Sequence, residues 1–215
     1  LSVASTAVNL PGAELSGQDF LITNHSGAGI ARLPVALDAA GGIYDFSSLV
    51  IDDTAGSDVA GLAITGSANG DNVTLSNGAD TYTAVGGDDE VNMSDGADEV
   101  TLAAGNETVV FDGPDDAEEV SIRTELKLDT IKDFAPANDT IDLLTFALST
   151  GTTTLTASGG SDFSDGIDNT ELTAMSIGDG EIASVVDGGG NDTLVVYDAD
   201  TTGGVDLVGF IVVGQ

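Results

Sequence analysis

Apolar and polar residues alternate in a nine-residue pattern through the middle of the chain. Five consecutive blocks begin at residue 67 and read SANGDNVTL, SNGADTYTA, VGGDDEVNM, SDGADEVTL and AAGNETVVF. The seventh position of the blocks holds Val73, Tyr82, Val91, Val100 and Val109, and the ninth holds Leu75, Ala84, Met93, Leu102 and Phe111. Residues two apart lie on the same face of a strand, so each block is predicted to contain one short β-strand with an apolar face.

A turn residue and an acidic residue precede each of these strands. The third position holds Asn69, Gly78, Gly87, Gly96 and Gly105, and the fifth holds Asp71, Asp80, Asp89, Asp98 and Glu107. Glycine permits the positive φ that a sharp corner requires. Two blocks, eighteen residues, are expected to complete one turn of a flattened helix with strands on both faces. The predicted fold is all-β: a parallel β-roll, or β-solenoid.

Corners on the same edge of such a fold stack at about the 4.8 Å strand spacing. The acids then form two columns, predicted as Asp71, Asp89 and Glu107 on one edge and Asp80, Asp98 and Asp116 on the other. Stacked carboxylates repel one another unless a cation lies between them. Ca²⁺ suits this gap because it takes about six to eight oxygen ligands, whereas Zn²⁺ prefers His and Cys, which the blocks lack. The alternative is a metal-free solenoid with solvated acidic corners.

The charge of the chain agrees with a cation as its partner. Four Lys and Arg residues against 37 Asp and Glu residues give a formal net charge of −33, which opposes compaction. This charge excludes nucleic acid and anionic membranes as partners. The alternative interpretation is an acidic surface that only keeps the chain soluble.

No apolar run approaches the roughly 18 residues of a membrane span, and the absence of Cys excludes a disulfide framework.

The flanking segments predict further strands without the acidic corner. Residues 41–52 and 59–66 are expected to form metal-free β-rungs packed by Phe46, Leu49, Ile51, Leu62 and Ile64. Residues 1–10 predict one uncharged, alternating strand suited to joining a neighbouring molecule's sheet. Far downstream, a glycine-rich corner ends in Asp192, ahead of an apolar strand. We therefore predict three segments: N-terminal β-rungs over 1–65, a calcium-binding roll over 66–120 and a β-rich C-terminal cap over 121–215.

The blocks resemble the RTX (repeats-in-toxin) nonapeptide, a Ca²⁺-binding β-helix repeat. The match is best at GGDDEV, residues 86–91, and at DGADEV, residues 95–100, although other residues replace the family's leading glycine pair. Residues 128–143 resemble the segment that closes the β-rolls of serralysin-type proteases, and residues 188–214 resemble their C-terminal end. The resemblance, over residues 66–215, implies a last cap and an uncleaved type I secretion signal. Glu107 and Pro114 depart from the pattern and predict weaker sites at the end of the roll.

The candidate Ca²⁺ ligands are the corner acids, three corner glycines and the downstream aspartate. They are Asp71, Asp80, Asp89, Asp98, Glu107, Asp116, Gly78, Gly87, Gly96 and Asp192.

Catalysis is not expected. The chain has one histidine, His25, which excludes a zinc-binding H-E-x-x-H helix, and it has no Cys and no G-x-S-x-G elbow. Too few aromatics are present to line a sugar cleft beside paired carboxylates.

We expect a secreted, calcium-binding structural protein, similar to RTX-containing S-layer or extracellular-matrix proteins, that folds and self-assembles into an oligomer or polymer on binding Ca²⁺. The alternative is the C-terminal calcium-folding and type I secretion module of a larger secreted enzyme or adhesin. A cell-surface glycan stays an open candidate partner.

Overall fold

The computed structural model describes residues 2–3, 10–18, 21–24, 32–51, 61–112, 118–119, 128–143, 152–156, 182–186, 192–198 and 207–213. Within these ranges the secondary structure is mostly β-strand, as predicted, with a single four-residue helix. The described ranges contain no helix with the length and hydropathy needed to span a membrane.

Strands follow one another through the described ranges. Ahead of the repeats lie β1 (Ser2–Val3), β2 (Leu10–Pro11), α1 (Gly12–Leu15), β3 (Leu21–Asn24), β4 (Arg32–Ala36), β5 (Ile43–Asp45), β6 (Val50–Ile51) and β7 (Gly61–Thr65). The five blocks form β8 (Asn72–Thr74), β9 (Thr81–Thr83), β10 (Glu90–Asn92), β11 (Glu99–Thr101) and β12 (Thr108–Val110). Beyond them lie β13 (Glu118–Glu119), β14 (Asp129–Lys132), β15 (Thr140–Asp142), β16 (Thr152–Thr156), β17 (Ile182–Val186), β18 (Asp192–Asp198) and β19 (Leu207–Val213).

Consecutive block strands enter two different sheets. Strands β8, β10 and β12 lie in a five-stranded parallel sheet of order β15-β12-β10-β8-β5. Strands β9 and β11 lie in an eleven-stranded sheet of order β16-β17-β18-β19-β14-β11-β9-β7-β4-β2, with β13 beside β19. Glu90 pairs with Asn72 on one side and with Thr108 on the other, so the predicted register of eighteen residues is confirmed. A third sheet has the order β1-β3-β6.

The two larger sheets share one apolar core. The seventh-position residues of all five blocks are fully buried, and the ninth-position residues are at most 7% exposed. The upstream residues predicted to pack this core are also buried: Phe46, Leu49, Ile51, Leu62 and Ile64. The period-two pattern therefore identified the core correctly. Strands from all three predicted segments join the eleven-stranded sheet.

The turn glycines follow the prediction in part. Gly87 and Gly96 have positive φ values of 102° and 115°, as a sharp turn requires. A Cβ on Gly96 would lie 2.6 Å from the carbonyl oxygen of Gly78, so successive turns stack too closely for a side chain there. Asn69, Gly78 and Gly105 do not have a positive φ, so the conformational role predicted for the third position is wrong at these three residues.

The first ten residues do not form the single strand that was predicted. Ser2 and Val3 pair with β3 in the three-stranded sheet, whereas Leu10 and Pro11 pair with β4 at the edge of the eleven-stranded sheet. Both ends of the segment are therefore paired within the chain itself.

The C-terminal strands continue the eleven-stranded sheet. Strand β14 pairs in parallel with β11 on one side and with β19 on the other, and β18 pairs antiparallel with β19. The ring of Phe111, at the end of the last block, stacks on Phe210 of β19 with centroids 4.5 Å apart. This contact joins the repeats to the C-terminal strands.

We expect Phe111→Ala to lower the free energy of unfolding by about 3–5 kcal/mol, because it removes a buried ring and its stacking partner's contact. Val85→Ala is the control: Val85 is 55% exposed and should change stability by no more than about 0.5 kcal/mol. Denaturant unfolding in one fixed buffer measures both. Equal effects of the two substitutions would contradict the described core.

Candidate metal centre

The acids ahead of the strands stack in two columns held together by their own hydrogen bonds. The first acidic column contains Asp71, Asp89, Glu107 and Asp139, and the second contains Asp80, Asp98 and Asp129. In the first column, the backbone N–H of Asp71 donates to Oδ1 of Asp89 at 2.9 Å. In the second, the N–H of Asp80 donates to Oδ1 of Asp98, and the N–H of Asp98 donates to Oδ1 of Asp129, both at 2.7 Å. Each of these three carboxylates thus ties its turn to the preceding one, whereas the described residues provide no such bond to the carboxylate of Glu107.

The last member of the second column is not the predicted one. Asp116 lies outside the described residues, and the strand that follows it, β13, pairs antiparallel with β19 rather than with β11. Strand β14 takes the place beside β11, so Asp129 follows Asp98. The chain between these two acids is longer than one eighteen-residue period, so counting residues forward from Asp98 gave the wrong partner.

Asp129 and Asp139 were both missed by the sequence analysis, although a signal for them was present. Each is followed by Thr-Ile, which repeats the order of acid, polar residue and apolar strand residue found in the blocks. In the structure the N–H of Glu107 donates to Oδ1 of Asp139 at 3.3 Å, which extends the first column by one acid.

A second set of hydrogen bonds closes three of the turns on themselves. Oδ2 of Asp71, Asp80 and Asp139 accepts the backbone N–H of the residue four positions earlier, in each case at 2.7 Å. The Ser76 hydroxyl also donates to Asp80. The acid therefore has a structural role at the turn in addition to any role in binding a cation.

The five fifth-position acids of the blocks, called the block acids from here on, are all buried, at 2% exposure or less. The alternative of solvated acidic corners is therefore wrong for these five positions. Most of their carboxylate oxygens accept a hydrogen bond, but Oδ2 of Asp98 and both carboxylate oxygens of Glu107 are buried with no hydrogen-bond partner among the described residues. A buried charge without partners is costly unless a proton or a cation neutralises it.

The pKa values of these carboxyls reflect that cost. Burial, reinforced by the charges of Asp80 and Asp129, raises the pKa of Asp98 to about 10. Burial and the neighbouring Asp139 raise the pKa of Glu107 to about 7. For Asp80, burial outweighs the N–H groups of Leu62 and Ser76 and raises the pKa to about 6. At neutral pH the charged form of Asp98 is therefore disfavoured unless positive charge lies beside it.

Of the other predicted ligands, the three glycines lie in turns beside the columns, and Asp192 lies apart from them. Gly78 and Gly96 stack in successive turns next to the second column, and the carbonyl oxygen of Gly87 lies against Gly105 in the turn ahead of Glu107. Asp192 begins β18, is buried, and lies with Val213 at the end of β19 away from Asp129. Within the described ranges no three acidic or histidine side chains form a group able to hold a metal alone. A cation in the columns would therefore combine paired carboxylates with turn carbonyls.

Two donors near the acids had no recognisable signal in the sequence. Tyr82 occupies an apolar position of its block, and its hydroxyl crosses to the opposite sheet and donates to Oδ2 of Asp89 at 2.9 Å. Arg32 lies on β4, and its Nε donates to the carbonyl of Ala79, the residue before Asp80, at 2.8 Å. His25, the one histidine of the sequence, lies outside the described residues.

No known protein-family model matches the chain, and a search of curated protein sequences finds no match. What the acidic columns bind has therefore to be inferred from their geometry.

In chelator, we expect the free energy of unfolding to decrease as pH rises from about 4 to about 6, toward the loss of structure near neutral pH. The pKa of Asp98 is higher in the folded than in the unfolded state, so its proton stabilises the fold at low pH and this stabilisation is lost as pH rises toward 10. Asp98→Asn should reduce the slope by up to about 1.4 kcal/mol per pH unit. Asp95→Asn, at an exposed position of the same turn, should leave the slope unchanged. An unaltered slope in Asp98→Asn would contradict the buried, raised carboxyl.

Proposed function

We propose that this chain is an extracellular calcium-binding structural protein whose parallel strands form a β-roll that folds and self-assembles on binding Ca²⁺. The observation that carries the proposal is the stacking of buried carboxylates, with oxygens of Asp98 and Glu107 that accept no hydrogen bond from the part of the chain that the structure describes. Carboxylate and carbonyl oxygens are the ligands that Ca²⁺ prefers, and its flexible coordination tolerates the mixture that these turns offer.

A divalent cation suits the columns better than protons do. A proton neutralises one carboxylate, whereas one Ca²⁺ neutralises two neighbouring carboxylates and can also take a turn carbonyl as a ligand. Carboxylate oxygens that already accept an N–H retain a second lone-pair site for a metal. With a net charge of −33, each bound Ca²⁺ also removes repulsion that opposes folding.

The pairing of the strands supports a β-roll. Strands eighteen residues apart pair in parallel in both sheets, and alternate blocks contribute to opposite sheets around one core. Strands β4, β5 and β7 belong to the same two sheets, so the segment before the repeats continues their architecture. This continuity favours a structural protein, in which the N-terminal segment is part of the scaffold.

We propose no catalytic role for the acids. Their oxygens accept hydrogen bonds from backbone N–H groups inside the fold, and the block acids are at most 2% exposed. A catalytic carboxylate has to reach a substrate, whereas these carboxylates organise turns.

Self-assembly would use the ends of the sheets, where strand edges are open to pairing. At the N-terminal end, the N–H of Asp45 on β5 already donates to the Ser16 hydroxyl, and the Asp45 carbonyl accepts the N–H of Gly17. Pro11 of β2 has no N–H to donate. At the other end of the five-stranded sheet, β15 has one partner among the described strands, β12. We therefore propose β15 as the edge that joins a second copy.

The second candidate is the calcium-folding and secretion module of a larger protein. Strands β18 and β19 form an antiparallel pair attached to β14, which is the arrangement expected of a cap that closes a roll. A module of this kind would bind Ca²⁺ and remain a monomer, so the assembly state distinguishes the two candidates.

Folding should depend on calcium. In excess chelator near neutral pH, we expect circular dichroism to show loss of β-structure, and Ca²⁺ on the order of 10⁻⁴–10⁻³ M should restore it. Mg²⁺ at the same concentration is the matched control and should not restore the signal, because it requires tight octahedral geometry. Full β-structure in excess chelator would refute the proposed calcium-coupled folding.

Assembly should require both Ca²⁺ and the edge of β15. Light scattering should show particles larger than a monomer in millimolar Ca²⁺, and Thr140→Lys should abolish them, since a lysine on an edge strand opposes pairing. Thr83→Lys makes the same change at an exposed position inside the eleven-stranded sheet and should leave assembly intact. A calcium-loaded chain that stays monomeric at high concentration supports the secretion module instead.

A further inference from the structure

The carboxylates at the N-terminal end of each acidic column already accept hydrogen bonds from the protein on both oxygens. Both oxygens of Asp71 accept backbone N–H groups, from Gly42 at 3.1 Å and from Ser67 at 2.7 Å. Both oxygens of Asp80 do the same, with Leu62 donating at 2.6 Å and Ser76 at 2.7 Å. These two carboxylates are stabilised without a cation.

Arg32 brings a positive charge to the start of the second column. Its Nε donates to the carbonyl of Ala79, immediately ahead of Asp80, at 2.8 Å. A turn carbonyl next to a carboxylate is what a calcium ion would use as a ligand. The Arg32 guanidinium therefore occupies the Ala79 carbonyl, which a metal ion could otherwise use as a ligand. It also supplies the positive charge that a metal ion would otherwise bring to Asp80.

Tyr82 has the corresponding role in the first column. Asp89 accepts the N–H of Asp71 on Oδ1, and its Oδ2 accepts the Tyr82 hydroxyl at 2.9 Å. The other blocks have Val at the position of Tyr82, and Val has no group that could reach an opposite turn. The second carboxylate oxygen of Asp89 is therefore satisfied by the hydroxyl of Tyr82, which the other blocks lack.

The corners nearer the C-terminal end lack such donors. Glu107 is fully buried, and neither of its carboxylate oxygens has a hydrogen-bond partner among the described residues. Its Oε1 and the Gly87 carbonyl oxygen both lie against Gly105, so two oxygens face the same small space. Asp98 is 1% exposed, and its Oδ2 is likewise without a partner in the described ranges. In each column the next acid, Asp139 or Asp129, accepts an N–H from the same turn. Asp139 accepts an N–H on each oxygen, so the open oxygens of its site are those of Glu107.

We propose that Ca²⁺ binds selectively at the C-terminal corners, between Glu107 and Asp139 and between Asp98 and Asp129, while Arg32 and Tyr82 replace it at the earlier corners. This selectivity rests on the proposed function and specifies which corners carry it. It reverses the order expected from the sequence, in which Glu107 marks the weaker sites.

The loss experiment compares two acids from each end of the columns. By calorimetric titration with Ca²⁺, Asp98→Asn and Glu107→Gln should each reduce the number of bound ions or weaken binding by at least about tenfold, since affinity follows the ligand charge. Asp71→Asn and Asp80→Asn are the matched controls and should leave the number of bound ions unchanged. Circular dichroism of each calcium-loaded variant verifies the fold. Equal losses at all four positions would overturn the proposal.

If the loss variants do not fold, two further variants test the same selectivity through a gain of Ca²⁺ binding. Tyr82→Phe removes the donor to Asp89, and Arg32→Gln removes the resident charge, so each should increase the number or the affinity of bound Ca²⁺. Tyr44→Phe is the control, because the Tyr44 hydroxyl bonds the N–H of Asp38 instead of a column acid. Unchanged binding in both variants would contradict the selectivity. If the unmodified chain binds no Ca²⁺, the proposed function fails as a whole, whereas uniform binding along the columns refutes only the selectivity.

Discussion

The hydrogen bond from a backbone N–H to the carboxylate of the next turn is the interaction on which the repeat region depends. It joins Asp71 to Asp89, Asp80 to Asp98 and Asp98 to Asp129, always from one turn to the turn stacked on it. These bonds satisfy buried N–H groups at a place where the strand ladder has not yet begun, and a buried N–H without a partner would be costly. The strands can therefore be as short as three residues and still hold a common register.

The same interaction brings like charges together in a buried place. A carboxylate that accepts N–H bonds is favoured as an anion, but stacking several of them out of water disfavours every charge in the column. The protein offsets this cost differently along each column: with backbone donors at Asp71 and Asp80, with a hydroxyl at Asp89, and with no donor from the described residues at the Glu107 carboxylate. The proposed dependence on an added cation rests on that uneven compensation.

The core is thin, and its integrity depends on neighbours along the stack. Each block buries two apolar side chains, so a single block could not hold itself together, and each turn needs the next to cover its apolar face. The C-terminal strands extend this cover, because Phe210 of β19 stacks on Phe111 at the end of the blocks. Compaction of the repeats and docking of the C-terminal strands are therefore linked through the same layer of side chains.

Sequence alone determined the strands of the blocks, their eighteen-residue register, the buried apolar positions and five of the stacked acids, because a period-two pattern and a fixed repeat are local properties. Only the tertiary structure decided that Asp129 follows Asp98 in its column. The chain between these two acids departs from the repeat, so the register there is set by strand pairing and not by a residue count. The tertiary structure also decided that Tyr82 reaches Asp89 and that Arg32 reaches the turn before Asp80. These are contacts between different strands, and nothing in the pattern of a single block encodes which side chain will lie across the core from it.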